Sequence, residues 1–293
     1  MSYLKIVTFN CGLMDIKLMG LTVFSNPPFS QKRVKFIPQQ LIKINADIIA
    51  LQECFDINNV KFIINEVKEI YPYSSSFNTE TLIKLSNGLI FLSKFPIVSS
   101  FFKEYSYNHP IESMFATKGY LTCTVDVPNI GLINFINLHA TSFADSSDEN
   151  DDLLSDNKSI LDFELKEILK VVDSNTILLG DFNCGPNSST YNYDFLVNNN
   201  DLIDVIGSLN EFKNLNLYTW DPNTILTKNG PHSHYPIDRI DHIMIHKDLF
   251  KVCKISNGKI IFTEEIVPIN DNTYSTISDH FGIFVELKFC NNT

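Results

Sequence analysis

Apolar positions recur along this chain in two periods, and together they predict many strands and a few helices. Continuous or alternating apolar runs predict strands at Tyr3–Asn10, Asp47–Gln52, Gly88–Leu92, Gly119–Val127, Gly131–His139, Asn175–Leu179, His242–Ile245, Lys259–Phe262 and Phe281–Leu287. Val34, Ile37, Leu41 and Ile44 fall at helical spacing and predict a helix over Gln31–Ile44. Asn59–Ile70 reads the same way and stops at Tyr71-Pro72, because proline disfavours helical backbone in the residue before it. Asp162–Val172 carries a third helical pattern. No Gly/Ser-rich or Pro-rich linker and no internal repeat interrupts the chain, so one domain over residues 1–293 is expected. So many strands with few helices suggest two β-sheets packed face to face, with helices outside.

Composition narrows this picture only in places. Hydrophobic residues at 44% and charged residues at 19% supply an ordinary globular core. The net charge of −11 repels polyanions and disfavours a dedicated nucleic-acid-binding protein. It leaves a nuclease open, because a bound divalent ion reverses the field locally. Cys11, Cys54, Cys123, Cys184, Cys253 and Cys290 show no CxxC spacing, which argues against zinc and against a disulfide framework. No apolar run reaches the roughly 18 residues of a membrane span, and the chain begins on a strand-like segment rather than a basic, then apolar leader. A cytoplasmic monomer, or a protein exported without an amino-terminal signal peptide, is the expectation. The acid- and serine-rich residues 144–156 read as a solvated loop, without the ordered spacing of a calcium-binding loop.

Chemistry gathers where strands end. Asn10 closes the first run, Glu53 follows IIALQ, His139 closes INFINLH, and Asp181 and Asn183 follow TILLG. Asp241 lies in RIDHIMI, and Asp279-His280 precedes the last strand. A carboxylate directly after an apolar run is costly to bury without a partner. One such residue is ordinarily a cap or an ion pair, but five or six in one register point to a site. Glu53 and Asn10 offer hard oxygen ligands that suit Mg2+ better than Zn2+. Asp181 and Asn183 flank Phe182 and share a face if extended; one would handle a water's proton while the other donates to a phosphate oxygen. His139 and His280 would supply hydrogen bonds or positive charge, and Asp241 would fix a histidine tautomer.

The segments TFN (8–10), LQE (51–53), GLIFLSKFPI (88–97), NLHAT (137–141), LLGDFN (178–183), RIDHIMI (239–245) and SDH (278–280) resemble, in order and spacing, the endonuclease/exonuclease/phosphatase superfamily. The resemblance implies a DNase I-like four-layer α/β sandwich with its active site at one end of the sheets. It implies that Glu53 and Asn10 hold a divalent metal, Mg2+ or in its place Mn2+, with Asp279 close by. Asp181 would activate the water and Asn183 would hold the phosphate. His280, oriented by Asp241, would face His139 across the scissile phosphate.

Within the superfamily, NLHAT, GLIFLSKFPI, KGYL (118–121) and YTWDPNTIL (218–226) are most similar to segments of the neutral sphingomyelinases. That implies release of phosphocholine from sphingomyelin and transient contact with a membrane surface. Alternatives are a DNA endonuclease or exonuclease, a phosphoinositide phosphatase, and an inert phosphate-binding adaptor on the same fold. Only DRIDHI stands where inositol 5-phosphatases have a WxCDRI-type segment. Two apolar stretches are candidates for the lipid surface: Phe101-Phe102 as an exposed pair, and Leu13–Phe29 as a loop beside Asn10.

Overall fold

Alternation within the first strand sets the layering of the protein, seen in a computed structural model that describes residues 2–18, 21–81, 84–142, 152–198, 201–209 and 217–290. In Ser2–Asn10, Leu4 and Ile6 face the space between two sheets, while Val7 and Phe9 face the opposite way. The outward residues pack on Ile37 and Leu41 of helix Ile37–Ile44 and on Val60, Ile63 and Val67 of helix Ile57–Val67. On the second sheet, Ile177 and Leu179 face inward, and Leu178 packs outward on Leu161, Leu165 and Leu196 of helices Asp152–Leu169 and Thr190–Asn198. Helix, sheet, sheet, helix gives the four-layer α/β sandwich that the sequence implies.

One sheet runs, edge to edge, Cys253–Ile261, Gly282–Phe289, Ser2–Asn10, Ile48–Gln52, Ile90–Ser93 and Tyr73–Ser76. The other runs Leu202–Asp204, Asp241–His246, Thr176–Asp181, Gly131–His139, Gly119–Val127 and Ile97–Glu104. Each sheet holds one parallel pair in an otherwise antiparallel ladder: Ser2–Asn10 beside Ile48–Gln52, and Thr176–Asp181 beside Gly131–His139. Parallel strands finish at the same edge of a sheet. Asn10 therefore lies level with Gln52, and Asp181 level with His139 and, on its other side, with the start of Asp241–His246. Gly180 sits at φ 144° with Leu138 O only 2.0 Å from where a Cβ would stand, so no side chain fits before Asp181.

The inner face changes character toward that edge. Below it lie hydrocarbon side chains; then comes a buried polar layer in which Gln52 Nε2 donates to Thr8 Oγ1 (3.1 Å) and Asn137 Oδ1 (2.7 Å). Asn137 Nδ2 in turn donates to the carbonyls of Leu51 (3.0 Å) and Ile90 (3.1 Å). These bonds tie the two sheets together directly beneath Asn10 and Asp181.

Several expectations change. The helix expected over Gln31–Ile44 is two pieces, Ser30–Arg33 and Ile37–Ile44, because Pro38 has no N–H and begins a new helix. Asp162–Val172 is the second half of Asp152–Leu169, and Lys259–Phe262 is the end of the longer Cys253–Ile261. The loop expected at Leu13–Phe29 contains a hairpin, Met14–Leu18 with Leu21–Asn26. Most of the expected 144–156 loop lies outside the described residues, and from Asp152 the chain is already helical. Phe101 and Phe102 are not an exposed pair: strand alternation turns Phe101 to solvent at 48% exposure and Phe102 onto the inter-sheet core. Cys11, Cys54, Cys123, Cys184 and Cys253 are buried free thiols, as the sequence suggests.

Candidate active site

The strand ends meet at the floor of a cleft of about 620 Å³. Asn10 Nδ2 donates to Glu53 Oε1 (3.1 Å) and to Asp181 Oδ2 (2.9 Å), bridging the two sheets through their carboxylates. Its own Oδ1 accepts from Gly12 N at 2.9 Å. In this arrangement Asn10 holds the two carboxylates and its oxygen is already engaged. Glu53 leaves its strand at φ 58°, a left-handed conformation that a non-glycine residue keeps only where surrounding contacts fix it.

Two imidazoles flank one oxygen. His139 Nε2 is 3.8 Å and His280 Nε2 is 3.9 Å from Asp181 Oδ2, and His139 Nε2 is also 3.6 Å from Glu53 Oε1. Their environments push their proton affinities apart. Burial, the Lys118 ammonium and His280 hold His139 well below the usual histidine range. His280 is also buried, but Asp241 at 2.9 Å from its Nδ1, helped by Asp181 and Asp279, raises it well above that range. Burial raises Asp181 to about 6, with Asp241 adding repulsion, and raises Glu53 to about 7, with Asp279 adding repulsion.

Asn183 lines the cleft beside Asp181; its backbone N–H donates to Asp181 Oδ1 (2.9 Å) and its Nδ2 to Ala140 O (3.0 Å). Phe182 between them turns into the outer core. Asp279 also lines the cleft, and its Oδ1 accepts from Ser278 Oγ at 3.1 Å. Six of the eight sequence-derived residues line this cleft, Asn10 lies buried beneath it bonded to Glu53 and Asp181, and Asp241 is buried behind His280.

Glu53, His139 and Asp181 each place a ligand atom within 4.8 Å of the others, as do Asp181, Asp241 and His280. A part-buried and a buried carboxylate, both with raised proton affinity and with imidazoles 3.6 to 3.9 Å away, fit a divalent cation. Asp279 falls outside both triplets and acts on Glu53 through its charge.

Three residues have a place here that sequence reasoning did not give them. Lys118, in the KGYL segment, is buried with its Nζ 3.2 Å from His139 Nε2, 2.7 Å from Ala140 O and 2.7 Å from Glu112. Trp220, in TWDP, pairs by backbone with Asp238 and with His280 and walls the cleft with Tyr235, 6.2 Å between ring centroids. Arg33, fully buried below the floor, had no signal, since a single arginine in a helical pattern reads as surface.

A sequence profile of the Endonuclease/Exonuclease/phosphatase family matches residues 7–280. The chain belongs to this family. The inositol phosphosphingolipids phospholipase C of Schizosaccharomyces pombe is 26% identical over 311 residues, covering 96% of this chain and 67% of that protein. A second relative, from Drosophila melanogaster, is 23% identical and is covered over 61% of its length, so the chain spans about two thirds of these relatives. Among solved structures, a Staphylococcus aureus beta toxin with bound magnesium ions matches with TM-score 0.72 at 20% identity, over 97% of this chain and 99% of that one. Sphingomyelinase C from Streptomyces griseocarneus matches with TM-score 0.72 at 16% identity, over 98% and 99%. At these identities the structural likeness is one of fold. No helix among the described residues of this family member is long and apolar enough to cross a membrane.

Proposed function

We propose that this chain is a metal-dependent phosphoric diester hydrolase of the phospholipase C type, releasing phosphocholine from sphingomyelin, with Mg2+ as its metal and Mn2+ able to substitute. The observation that carries the reading is the Glu53–His139–Asp181 cluster, open to the cleft through Glu53, with the buried His280–Asp241 pair beside it. A bound divalent ion held by Glu53, with Asp279 near and Asn10 fixing the carboxylate, would supply Lewis-acid stabilisation of phosphoryl charge.

Asp181, its other oxygen fixed by Asn183 N–H, takes a proton from the attacking water. His280 as imidazolium gives a hydrogen bond to a phosphoryl oxygen from its Nε2, while neutral His139, whose Nε2 accepts from the Lys118 ammonium, flanks Asp181 on the other side. Water adds to phosphorus as its proton passes to Asp181, the bond to the ceramide oxygen breaks, and that oxygen takes a proton from solvent as phosphocholine and ceramide leave. Asn183 keeps a second amide hydrogen for a phosphate oxygen.

The cleft suits a cationic headgroup. Glu112, Asp238 and Asp279 line it with the rings of Trp220 and Tyr235, and Lys118 is the one lysine or arginine among its described lining residues. Phe24 and Phe115 line it at 48% and 44% exposure, and Met114 on the same short helix as Phe115 is 68% exposed. These apolar side chains replace Phe101-Phe102 as the surface offered to a lipid. The Schizosaccharomyces pombe relative favours a second reading, an inositol phosphate headgroup on the same lipid class.

Hydrolysis of sphingomyelin, an inositol phosphosphingolipid, a phosphoinositide and abasic DNA, compared in Mg2+ with lipids in mixed micelles, separates the readings. Phosphocholine release is expected to be fastest. Release of inositol phosphate alone moves the assignment to the second reading, and DNA cleavage without lipid hydrolysis overturns both.

A further inference from the structure

Arg33 spends every hydrogen-bond donor it owns on backbone carbonyls of segments that border the active site. Nε donates to Pro28 O (2.9 Å). One terminal nitrogen donates to Cys11 O (3.0 Å) and Ile277 O (3.1 Å). The other donates to Gly12 O (2.5 Å) and Pro27 O (3.0 Å). A guanidinium has five N–H groups in a fixed plane, and here all five are placed. Among the described residues no carboxylate hydrogen-bonds to it, although a fully buried cation ordinarily takes one.

The segments it joins are distant in sequence and adjacent in function. Cys11-Gly12 follows Asn10, Ile277 precedes Asp279 by two residues, and Pro27-Pro28 leaves the hairpin that walls the cleft. Gly12 shows how close two of them come. At φ 54°, a Cβ on Gly12 would lie 2.3 Å from Asp279 Oδ1 and 2.9 Å from Ser278 Oγ. Nothing but a glycine allows this approach, and the guanidinium behind it holds the two backbones there. Gly12 N–H in turn orients the Asn10 amide that grips Glu53 and Asp181.

We infer that Arg33 is a positioning residue for the metal site: its guanidinium fixes the Asn10–Gly12 turn against the Ile277–Asp279 turn, and so sets the spacing of Asn10 and Glu53 relative to Asp279. It touches neither substrate nor metal. Lysine retains the charge but has three donors on a rotating ammonium, so it cannot span the same carbonyls. This inference rests on the reading of Glu53 and its neighbours as a divalent-cation site.

Calorimetric titration of Mg2+ into substrate-free protein, together with the melting temperature, tests it. Arg33→Lys is expected to weaken Mg2+ binding by about tenfold or more, in the range seen when the outer partners of metal ligands are lost. Tyr71→Phe, which removes a buried bond to Leu41 O in the same layer away from the cleft, serves as the matched control. It is expected to lower the melting temperature and leave Mg2+ binding unchanged. Arg33→Lys with a lowered melting temperature and wild-type Mg2+ affinity overturns the inference and makes Arg33 a core residue only. If Arg33→Lys does not fold, Gly12→Ala reads the same contact from the other side, because its methyl must spread the two turns. Unchanged Mg2+ affinity in Gly12→Ala would overturn the inference equally. A wild-type protein that binds no Mg2+ overturns both this inference and the metal-site reading.

Discussion

His280 Nδ1 and Asp241 Oδ2 lie 2.9 Å apart, both buried, and the imidazole turns its other nitrogen toward Asp181. Asp241 hydrogen-bonds within the site to His280, and its charge also bears on Asp181. His280→Ala should lower kcat by about 10²- to 10³-fold, the usual cost of losing one donor to a developing oxyanion. Asp241→Asn should act in the same direction, and the double variant should be no worse than His280→Ala alone. A double-variant loss equal to the product of the single losses would show that the two act independently.

The metal cluster gives a simpler expectation. EDTA should abolish activity and Mg2+ should restore it. Glu53→Gln should raise the Mg2+ needed for half activity, while Asp181→Asn should cut turnover by orders of magnitude even at saturating Mg2+. Full turnover in EDTA would remove the metal from the mechanism.

Glu164 offers a pH test away from the cluster. It is buried, accepts from Thr141 N (2.7 Å) and Thr141 Oγ1 (2.6 Å), and burial raises its carboxyl to about 8 despite those bonds. Its folded-state value lies above its unfolded one, so its contribution is fully present below about 4.5 and is lost as pH rises through about 8. Glu164→Gln, uncharged throughout, should flatten the fall in melting temperature between pH 5 and pH 9 and be the more stable form at the alkaline end. Parallel profiles for variant and wild type would mean that Glu164 is ionised in the fold at neutral pH.

Lipid contact separates rim from core. Phe24→Ser with Met114→Ser should slow hydrolysis of micellar sphingomyelin several-fold and leave a water-soluble phosphodiester unaffected, whereas Phe101→Ser should change neither. Equal losses on both substrates would mean that Phe24 and Met114 act on catalysis itself rather than on contact with a lipid surface.

The sequence by itself determined nine of the twelve strands of the two large sheets, three helical segments and the polar residues at the strand ends, because period-two and helical apolar spacing are local properties of the chain. Strands Tyr73–Ser76, Ile97–Glu104 and Leu202–Asp204 and helix Thr190–Asn198 were not read from it. Asn10, Glu53, His139 and Asp181 stood out as candidates because a polar side chain at the end of a buried run is costly unless something pairs with it, and His280 stood out in the SDH segment before the last strand. Trp220 and Lys118 carried motif signals but no role. Only the tertiary structure decided what these residues touch. The two parallel pairs bring the strand ends to one edge, and the same register buries Gln52 and Asn137 as a polar tie between the sheets. Which face of Ile97–Glu104 meets solvent was settled by its place at the edge of a sheet, and so Phe101 and Phe102 parted. Arg33 lay beyond sequence reasoning altogether, since its partners are backbone carbonyls as distant as Ile277, and a carbonyl carries no residue identity for a sequence to display.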